Sequence, residues 1–249
     1  ALTVEEVLAL QNAFFDSSSA IERAKVGGLL FLLEGRLRSA DADHLLSEPS
    51  FEDSGDAVNP SLLIAQMEGT KNTRAMHKRR QATDVVAHAS ALFGRPWGKL
   101  WLKTRRAAGL SVDHQRTLFP VAAGTTWSAK PMGAAEIGKL LRRVLHDQGF
   151  AWRALEGLGS HSLKATLLAW SAKFGMSMGV RRVLGYHVKP KDRSVLTYSR
   201  DAVSAPLEEV ATMKDAIAVG SFAPDATRTR RRMRGRVDFL EQRRKEEIL

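Results

Sequence analysis

Residues 161–198 bring together side chains whose chemistry suits a phosphate group. His161 and Lys164 are three residues apart on a predicted helix and therefore share a face. His187 follows 23 residues after Lys164, and Tyr198 follows 11 residues after His187. Fixed cations stabilise a pentacoordinate phosphate and lower the pKa of a nearby phenol. This set therefore predicts phosphoryl transfer with a tyrosine oxygen as the nucleophile.

The same segment also has a purely structural interpretation. His161 and His187 would then stand at helix ends, and Tyr198 would pack on an amphipathic helix. Tyrosine chemistry has two candidates, because Tyr186 and Tyr198 are the two tyrosines of the chain. No metal site is predicted, since there is no cysteine, no second ligand pair at helical spacing and no nearby carboxylate cluster.

The composition favours a polyanionic partner. The 249 residues include 38 Lys and Arg against 27 Asp and Glu, a net charge of +11 with a pI near 10.2. Nucleic acid is the first expectation and an anionic membrane surface the second. The absence of cysteine excludes disulfides, thiolate zinc sites and thiol nucleophiles, and it favours an intracellular protein. No apolar run approaches the roughly 18–20 residues of a spanning helix.

The elements that must position the segment are mostly helical. Hydrophobic spacing and capping residues predict helices over 3–16, 20–38, 90–109, 134–147, 161–174, 177–184, 193–204 and 207–218. The second of these is apolar almost all round and should be buried. Segments 61–68 and 81–88 are predicted to form a β-hairpin, with a short strand near Phe51, and 110–132 to be irregular. The expected fold is mainly α with a small antiparallel β-sheet (α+β).

Further cations flank these elements. Arg36 and Arg38 follow the buried helix, either as surface residues at its C-terminus or as partners of a buried anion. The hairpin loop carries a basic run, either solvated or reaching a phosphate, with Lys71, Arg74, Lys78, Arg79 and Arg80. Residues 1–218 are expected to form one domain. Residues 219–249, with six arginines in 228–236, are expected to form a basic tail, mobile or docked on a partner.

The ordered set of motifs resembles the catalytic domain of the tyrosine recombinases, or phage-type integrases. Leu37-Arg38-Ser39-Ala40-Asp41 looks like the first arginine box of that family, and Lys71 stands where its hairpin lysine is expected. His161-Ser162-Leu163-Lys164 is similar to the His-x-x-Arg box in all but the last residue. Leu184-Gly185-Tyr186-His187 looks like the Leu-Gly-His box, and Tyr198 stands where the nucleophile is expected. Order and spacing agree over roughly 200 residues. The variant boxes look most like recombinases of eukaryotic mobile elements.

The resemblance implies a site-specific DNA recombinase or integrase that works without metal, ATP or another cofactor. Tyr198 would attack the scissile phosphate and form a 3′-phosphotyrosine. Arg38 and Lys164 would neutralise the phosphate oxygens with help from His187, and His161 would act in proton transfer or phosphate contact. Lys71 would protonate the leaving 5′ oxygen, with Lys78 as its alternative, and Asp41 would support Arg38. Further DNA contacts would come from Arg74, Lys78, Arg79, Arg80, Lys189 and Lys191.

The implied partner is double-stranded DNA, bound by a homo-oligomer that the family builds as a tetramer on two sites, with no membrane partner. The implied location is intracellular, in the nucleus if the source is eukaryotic and in the cytoplasm or nucleoid otherwise. Three departures stand out: Lys164 replaces the second arginine of the family, the tyrosine follows the third box at a generous distance, and no N-terminal DNA-clamping domain is expected. A type IB topoisomerase shares the chemistry, and a decayed, non-catalytic DNA-binding protein is the other alternative.

Overall fold

The computed structural model describes residues 1–55, 61–68, 82–110, 118–124, 126–186 and 201–226. The α-helices in these ranges are α1 (Val4–Asp16), α2 (Ala20–Glu34), α3 (Ser39–Ala42), α4 (Gly98–Ala107), α5 (Ala134–Asp147), α6 (Trp152–Leu155), α7 (Ser160–Phe174), α8 (Met178–Leu184) and α9 (Asp201–Ala218). The strands are β1 (Ser50–Glu52), β2 (Leu62–Glu68), β3 (Ala82–His88), β4 (Pro120–Ala123) and β5 (Thr126–Pro131). The mainly α architecture with small antiparallel sheets is the fold class expected from the sequence.

Helix α2 lies at the centre of the core. It packs against α1, α4 and α7, and every residue from Val26 to Glu34 is buried. The prediction of a buried second helix is therefore confirmed. Two glycines let aromatic rings pack directly on the helix backbone, since a Cβ on Gly27 would overlap the indole of Trp101 and one on Gly28 would lie 2.8 Å from the Phe119 ring.

Strands β1, β2 and β3 form an antiparallel sheet beside the C-terminal end of α2. Leu63 of β2 pairs with Phe51 on one side and with Ala87 on the other. The side chains of Leu63, Ala65 and Met67 alternate along β2 and are buried. This period of two is the pattern expected for a sheet with one face on the core, and the predicted hairpin and short strand are confirmed.

Three boundaries differ from the sequence prediction. Helix α2 ends at Glu34, four residues early, because the chain turns at Gly35. Helix α4 begins at Gly98 and not near residue 90, since the preceding loop makes a tight turn with φ of 60° at Phe93. Helix α9 runs through Pro206, which was expected to open a separate helix. The proline removes one backbone hydrogen bond near the start of an 18-residue helix, and the rest of the helix continues.

Residues 110–132, expected to be irregular, contain the two-stranded sheet β4–β5. Its ends pair Pro120 with Pro131, and Gly124 has a φ of +65° in the turn. Prolines are tolerated at the edges of a sheet, where a missing donor leaves no neighbour unpaired. Their presence therefore concealed the hairpin, which is anchored to α4 by the indole of Trp127 donating to the Ala108 carbonyl at 2.6 Å.

Residues 219–226 return to the folded body. Phe222 packs edge-on against Phe174 of α7 at a ring distance of 5.1 Å, and the Asp225 carboxylate accepts the Val4 amide at 2.8 Å. The assignment of 219–249 to a tail stays a prediction, since residues 227–249 lie outside the described ranges. Within those ranges, no helix is long and apolar enough to cross a membrane.

Candidate functional site

The C-terminus of α2 turns sharply, and Arg36 stands at the turn. The Arg36 amide donates to the Leu33 carbonyl at 3.1 Å, and the Leu37 amide donates to the Leu32 carbonyl at 2.9 Å. This pair of bonds is a Schellman motif, which places Arg36 at the position usually held by glycine. Its φ of 53° is in the left-handed region, a conformation that costs a non-glycine residue about 1 kcal/mol or more.

The Arg36 side chain explains why this conformation persists. Only 1% of the residue is exposed, and its guanidinium donates to three carbonyls: Glu34 at 2.6 Å, Val86 at 2.9 Å and Leu184 at 3.0 Å. These carbonyls belong to the end of α2, to β3 and to the end of α8. The surface interpretation of Arg36 is therefore wrong, because the guanidinium cross-links three elements inside the core.

Arg38 lies two residues further and is half-buried. The Asp41 carboxylate accepts the backbone amide of Arg38 at 2.9 Å, and the Arg38 carbonyl accepts the Asp41 amide at 3.0 Å. Asp41 thus fixes the backbone of Arg38. Among the described residues, no hydrogen bond or ion pair engages the Arg38 guanidinium.

Lys164 reaches the same place from α7. It is 3% exposed, and its ammonium donates to the Gly185 carbonyl at 3.1 Å and lies 5.6 Å from the centre of the Tyr186 ring. Burial, followed by the positive charge of Arg38 and that of Arg36, lowers the pKa of Lys164 from 10.5 to about 8, against the opposing effect of Asp41. Lys164 is therefore a buried cation that releases its proton more easily than an ordinary lysine.

His161 occupies a different environment from Lys164. It is exposed in the first turn of α7, whereas Lys164, one turn later, is covered. The predicted spacing of three residues does place both on one side of the helix. The covering comes from the Gly185–Tyr186 turn after α8, which contacts Lys164 but leaves His161 exposed.

Tyr186 is the tyrosine of the pair that the structure describes. Its φ is +59°, and its hydroxyl donates to the Gly35 carbonyl at 3.0 Å. Burial raises the pKa of its phenol, although the Arg36 guanidinium opposes this shift. A buried phenol with a raised pKa is a poor nucleophile, so Tyr186 serves here as a link between the turn after α8 and the turn after α2.

A second set of buried charges lies beneath the turn, and sequence reasoning missed it. The Lys214 ammonium of α9 contacts both carboxylate oxygens of Glu34 at 3.2 Å and the Ser90 carbonyl at 2.7 Å. Burial raises the pKa of Glu34 against the effect of Lys214, and it holds the pKa of the neighbouring His88 well below its usual range. The one available signal was a carboxylate directly after the apolar run of α2, because such a group requires a partner once it is buried.

The remaining candidates fall outside the described residues. These are Lys71, Arg74, Lys78, Arg79, Arg80, His187, Lys189, Lys191 and Tyr198. Their assignment stays a prediction. The structure does describe the elements that flank these segments in the chain. The hairpin loop follows β2 at Glu68 and precedes β3 at Ala82, and the segment with Tyr198 lies between Tyr186 and Asp201.

The described part of the site has an excess of positive charge. Lys164 interacts electrostatically with Arg36, Arg38 and Asp41, and Arg36 also interacts with Glu34, which pairs with Lys214. With these groups ionised, four cations stand against two carboxylates, and two positive charges are left without a neutralising partner among them. Such an excess in a partly buried cluster favours binding of an anion with at least two negative charges or of a polyanion.

Comparisons with known proteins place the fold. No family model and no curated protein sequence matches the chain. Among solved structures, the XerH site-specific recombinase bound to difH substrate, a pre-cleavage complex, aligns with a TM-score of 0.51 and 17% identity, covering 85% of this chain and 52% of that one. A Flpe–Holliday junction complex aligns with a TM-score of 0.45 and 10% identity, covering 78% of this chain and 46% of that one.

The chain therefore shares its fold with a site-specific recombinase of known structure. More narrowly, the fold is that of the catalytic domain of the tyrosine recombinases, as the sequence resemblance predicted. The chain spans about half the length of the two recombinases to which it is similar.

Proposed function

We propose that this chain is the catalytic part of a DNA recombinase that breaks and rejoins strands through a tyrosine. The observation that carries the proposal is the cluster of Arg38, Lys164 and Asp41 in this fold. There the Lys164 ammonium interacts electrostatically with Arg38 and with one carboxylate, Asp41, and the Arg38 guanidinium has no acceptor among the described residues. A DNA phosphate supplies the anion that this arrangement lacks.

Each described residue has a distinct part in the proposed reaction. Arg38 holds one non-bridging phosphate oxygen, and Asp41 keeps its backbone in place. Lys164 neutralises a second oxygen, although an ammonium cannot bind two oxygens side by side as the planar fork of arginine does. His161, which is exposed in the first turn of α7, contacts the phosphate or transfers a proton.

The covalent step uses residues outside the described ranges. The Tyr198 phenol passes its proton to a base, for which His161 is the candidate, and its oxygen attacks the phosphorus while the bond from phosphorus to the 5′ oxygen breaks. The leaving oxygen takes a proton from Lys71, and His187 assists in stabilising the phosphate. Attack of a 5′ hydroxyl on the phosphotyrosine reverses the step and joins DNA, so no external energy source is consumed.

The test is capture of the covalent intermediate. Wild-type protein is incubated with a pool of nicked duplexes of randomised sequence. After cleavage, the short fragment between the cut and the nick diffuses away, so the strand cannot be rejoined and the covalent adduct accumulates. We expect a protein–DNA adduct on Tyr198, identified by mass spectrometry and absent in Tyr198→Phe. Absence of an adduct from wild type, with duplex binding intact, would refute the enzymatic proposal.

One observation favours a second candidate, a non-catalytic DNA-binding protein of the same fold. The Lys164 ammonium is bound to the Gly185 carbonyl at 3.1 Å, so contact with a phosphate has to compete with this bond. The wild-type adduct separates the two candidates, because a non-catalytic protein forms none. If wild type forms an adduct, a rise in Lys164→Arg marks the lysine as a defect, whereas an unchanged or lower yield marks it as an adapted part of the site.

A further inference from the structure

A groove of about 600 Å³ lies on the side of the domain between α2, α5 and α6. Its cationic lining consists of Lys25, Lys139, Arg142 and Arg143, and its acidic lining of Glu136. Met132, Leu140 and Trp152 supply the apolar part. None of these residues belongs to the phosphate site described above.

The charges of the groove are only partly neutralised. Glu22 pairs with both Lys25 and Arg143, at 2.7 Å and 2.8 Å. The Glu136 carboxylate accepts the Gly133 amide at 2.7 Å and so caps α5. With both carboxylates counted, two positive charges remain in excess, which favours an anionic ligand.

Trp152 gives the groove an aromatic wall. One face of its indole is stacked on the His146 ring, at 4.4 Å between centroids and 27° between planes, yet half of the residue is exposed. The other four tryptophans of the chain are buried or half-buried. A large exposed aromatic ring that is held flat by a neighbour and surrounded by cations is a surface on which a nucleobase can stack.

The groove lies close to His161, the exposed histidine of the proposed phosphate site. The Arg142 guanidinium donates to the Leu158 carbonyl at 2.6 Å, and Leu158 is three residues before His161. Three peptide units span at most about 11 Å between Cα atoms. A nucleic-acid strand that passes His161 therefore needs only a few nucleotides to reach the groove.

We propose that this groove binds an unpaired nucleotide of a DNA strand, with its base stacked on Trp152 and its phosphates against Lys139 and Arg143. A base in a duplex is already stacked on both sides, so the free ring of Trp152 selects unpaired nucleotides. Binding in this groove does not require the cleavage reaction. If the proposed recombinase reaction occurs, the groove can bind a DNA strand that becomes unpaired during it.

Binding of a ten-nucleotide oligothymidylate to the Tyr198→Phe protein tests this proposal. Fluorescence anisotropy of the labelled strand gives its affinity, with a duplex of matched length and mixed sequence as the comparison. Trp152→Ala should weaken binding of the single strand by about tenfold, and Trp152→Phe should restore most of the affinity, because stacking needs only a ring. Binding of the duplex should change by less than twofold in either variant.

Matched variants test the charge. Lys139→Ala should weaken binding of the single strand and lower its salt dependence, whereas Lys103→Ala, which removes an exposed lysine on α4, should leave both unchanged. Circular dichroism confirms that each variant is folded. Equal affinity of wild type and Trp152→Ala, equal losses for single strand and duplex, or preferential binding of an oligoglutamate peptide would each overturn the proposal. The adduct assay on duplex DNA tests the recombinase function separately.

Discussion

The charge of Lys164 should switch off as the pH rises from 7 to 9. With a pKa of about 8, about nine in ten Lys164 side chains are charged at pH 7 and about one in ten at pH 9. Arginine stays charged throughout this range. Lys164→Arg should therefore remove any pH dependence that originates from this side chain, while it keeps the charge in place.

Protein stability reports this pKa without DNA. The folded pKa lies below the value of 10.5 for a free lysine, so between pH 8 and 10.5 the unfolded chain binds the extra proton. Stability then rises with pH across this window, by ~3 kcal/mol in total for a shift of this size. We expect the free energy of unfolding of wild type, relative to Lys164→Met, to rise by that order in urea titrations from pH 7.5 to 10.5.

DNA binding should change in the opposite direction. A bound phosphate favours the charged lysine, so binding takes up a proton once the free site has begun to lose it. The DNA to use is the duplex recovered in the adduct assay. Its association constant for the Tyr198→Phe protein should fall by about tenfold between pH 7 and 9 at fixed ionic strength. Lys164→Arg should show no such fall.

Asp41→Asn is the matched control for this reasoning. The Asp41 charge raises the pKa of Lys164, so its removal should move both transitions to lower pH while the side chain can still accept the Arg38 amide. Identical pH profiles for wild type and Lys164→Arg, or a transition that moves to higher pH in Asp41→Asn, would refute the electrostatic account of this site.

Three further predictions concern the core and the tail. Lys214→Met leaves the Glu34 carboxylate buried without its cation and should lower the free energy of unfolding in urea by ~3–5 kcal/mol. Adding Glu34→Gln should reduce this loss, and full stability of Lys214→Met alone would contradict the prediction. Gly27→Ala forces a methyl group against the Trp101 indole and should cost ~1–3 kcal/mol by thermal unfolding, with an unchanged Tm as the contrary result. Deletion of 228–249 should weaken non-specific DNA binding and flatten its salt dependence, and an unchanged salt slope would count against a DNA role there.

Gly179→Ala provides a matched control for the glycine substitution. Gly179 is also in a helix, α8, but the nearest atom to a new Cβ is the Ser177 hydroxyl oxygen at 3.6 Å, an ordinary contact distance. Alanine is also the better helix former, so this variant should be as stable as wild type or slightly more stable.

The sequence predicted the helices wherever local signals agreed with packing. Thr3 and Glu6 form a capping box, with bonds of 3.1 Å and 2.7 Å, at the start of the first predicted helix, and the apolar run of α2 became the central helix. It did not predict the β4–β5 hairpin, because Pro120 and Pro131 are poor strand residues unless they lie at the ends of an edge pair.

The sequence predicted those site residues that belong to a recognisable motif. It did not predict the residues that are brought together only by contacts between distant parts of the chain. The motif placed Arg38, Asp41 and Lys164 together, and in the structure Lys164 interacts electrostatically with both Arg38 and Asp41. Lys214 is 180 residues from Glu34 in sequence, and no local pattern marks a lysine in an ordinary amphipathic helix as the partner of a buried carboxylate. Burial of its helix was predicted from the apolar pattern, but neither the burial of the carboxylate nor the identity of its partner was.

Arg36 shows why the site is built on a strained turn. Glycine at this position would relieve the cost of a left-handed backbone, and it would complete the Schellman motif equally well. It would also leave the carbonyls of Val86 and Leu184 without the donor that now binds both. Those two carbonyls belong to β3 and α8, which lead from the hairpin loop and into the segment of Tyr198. The strain at Arg36 is thus offset by a cross-link that fixes, relative to Arg38, both chain segments from which the remaining proposed catalytic residues extend.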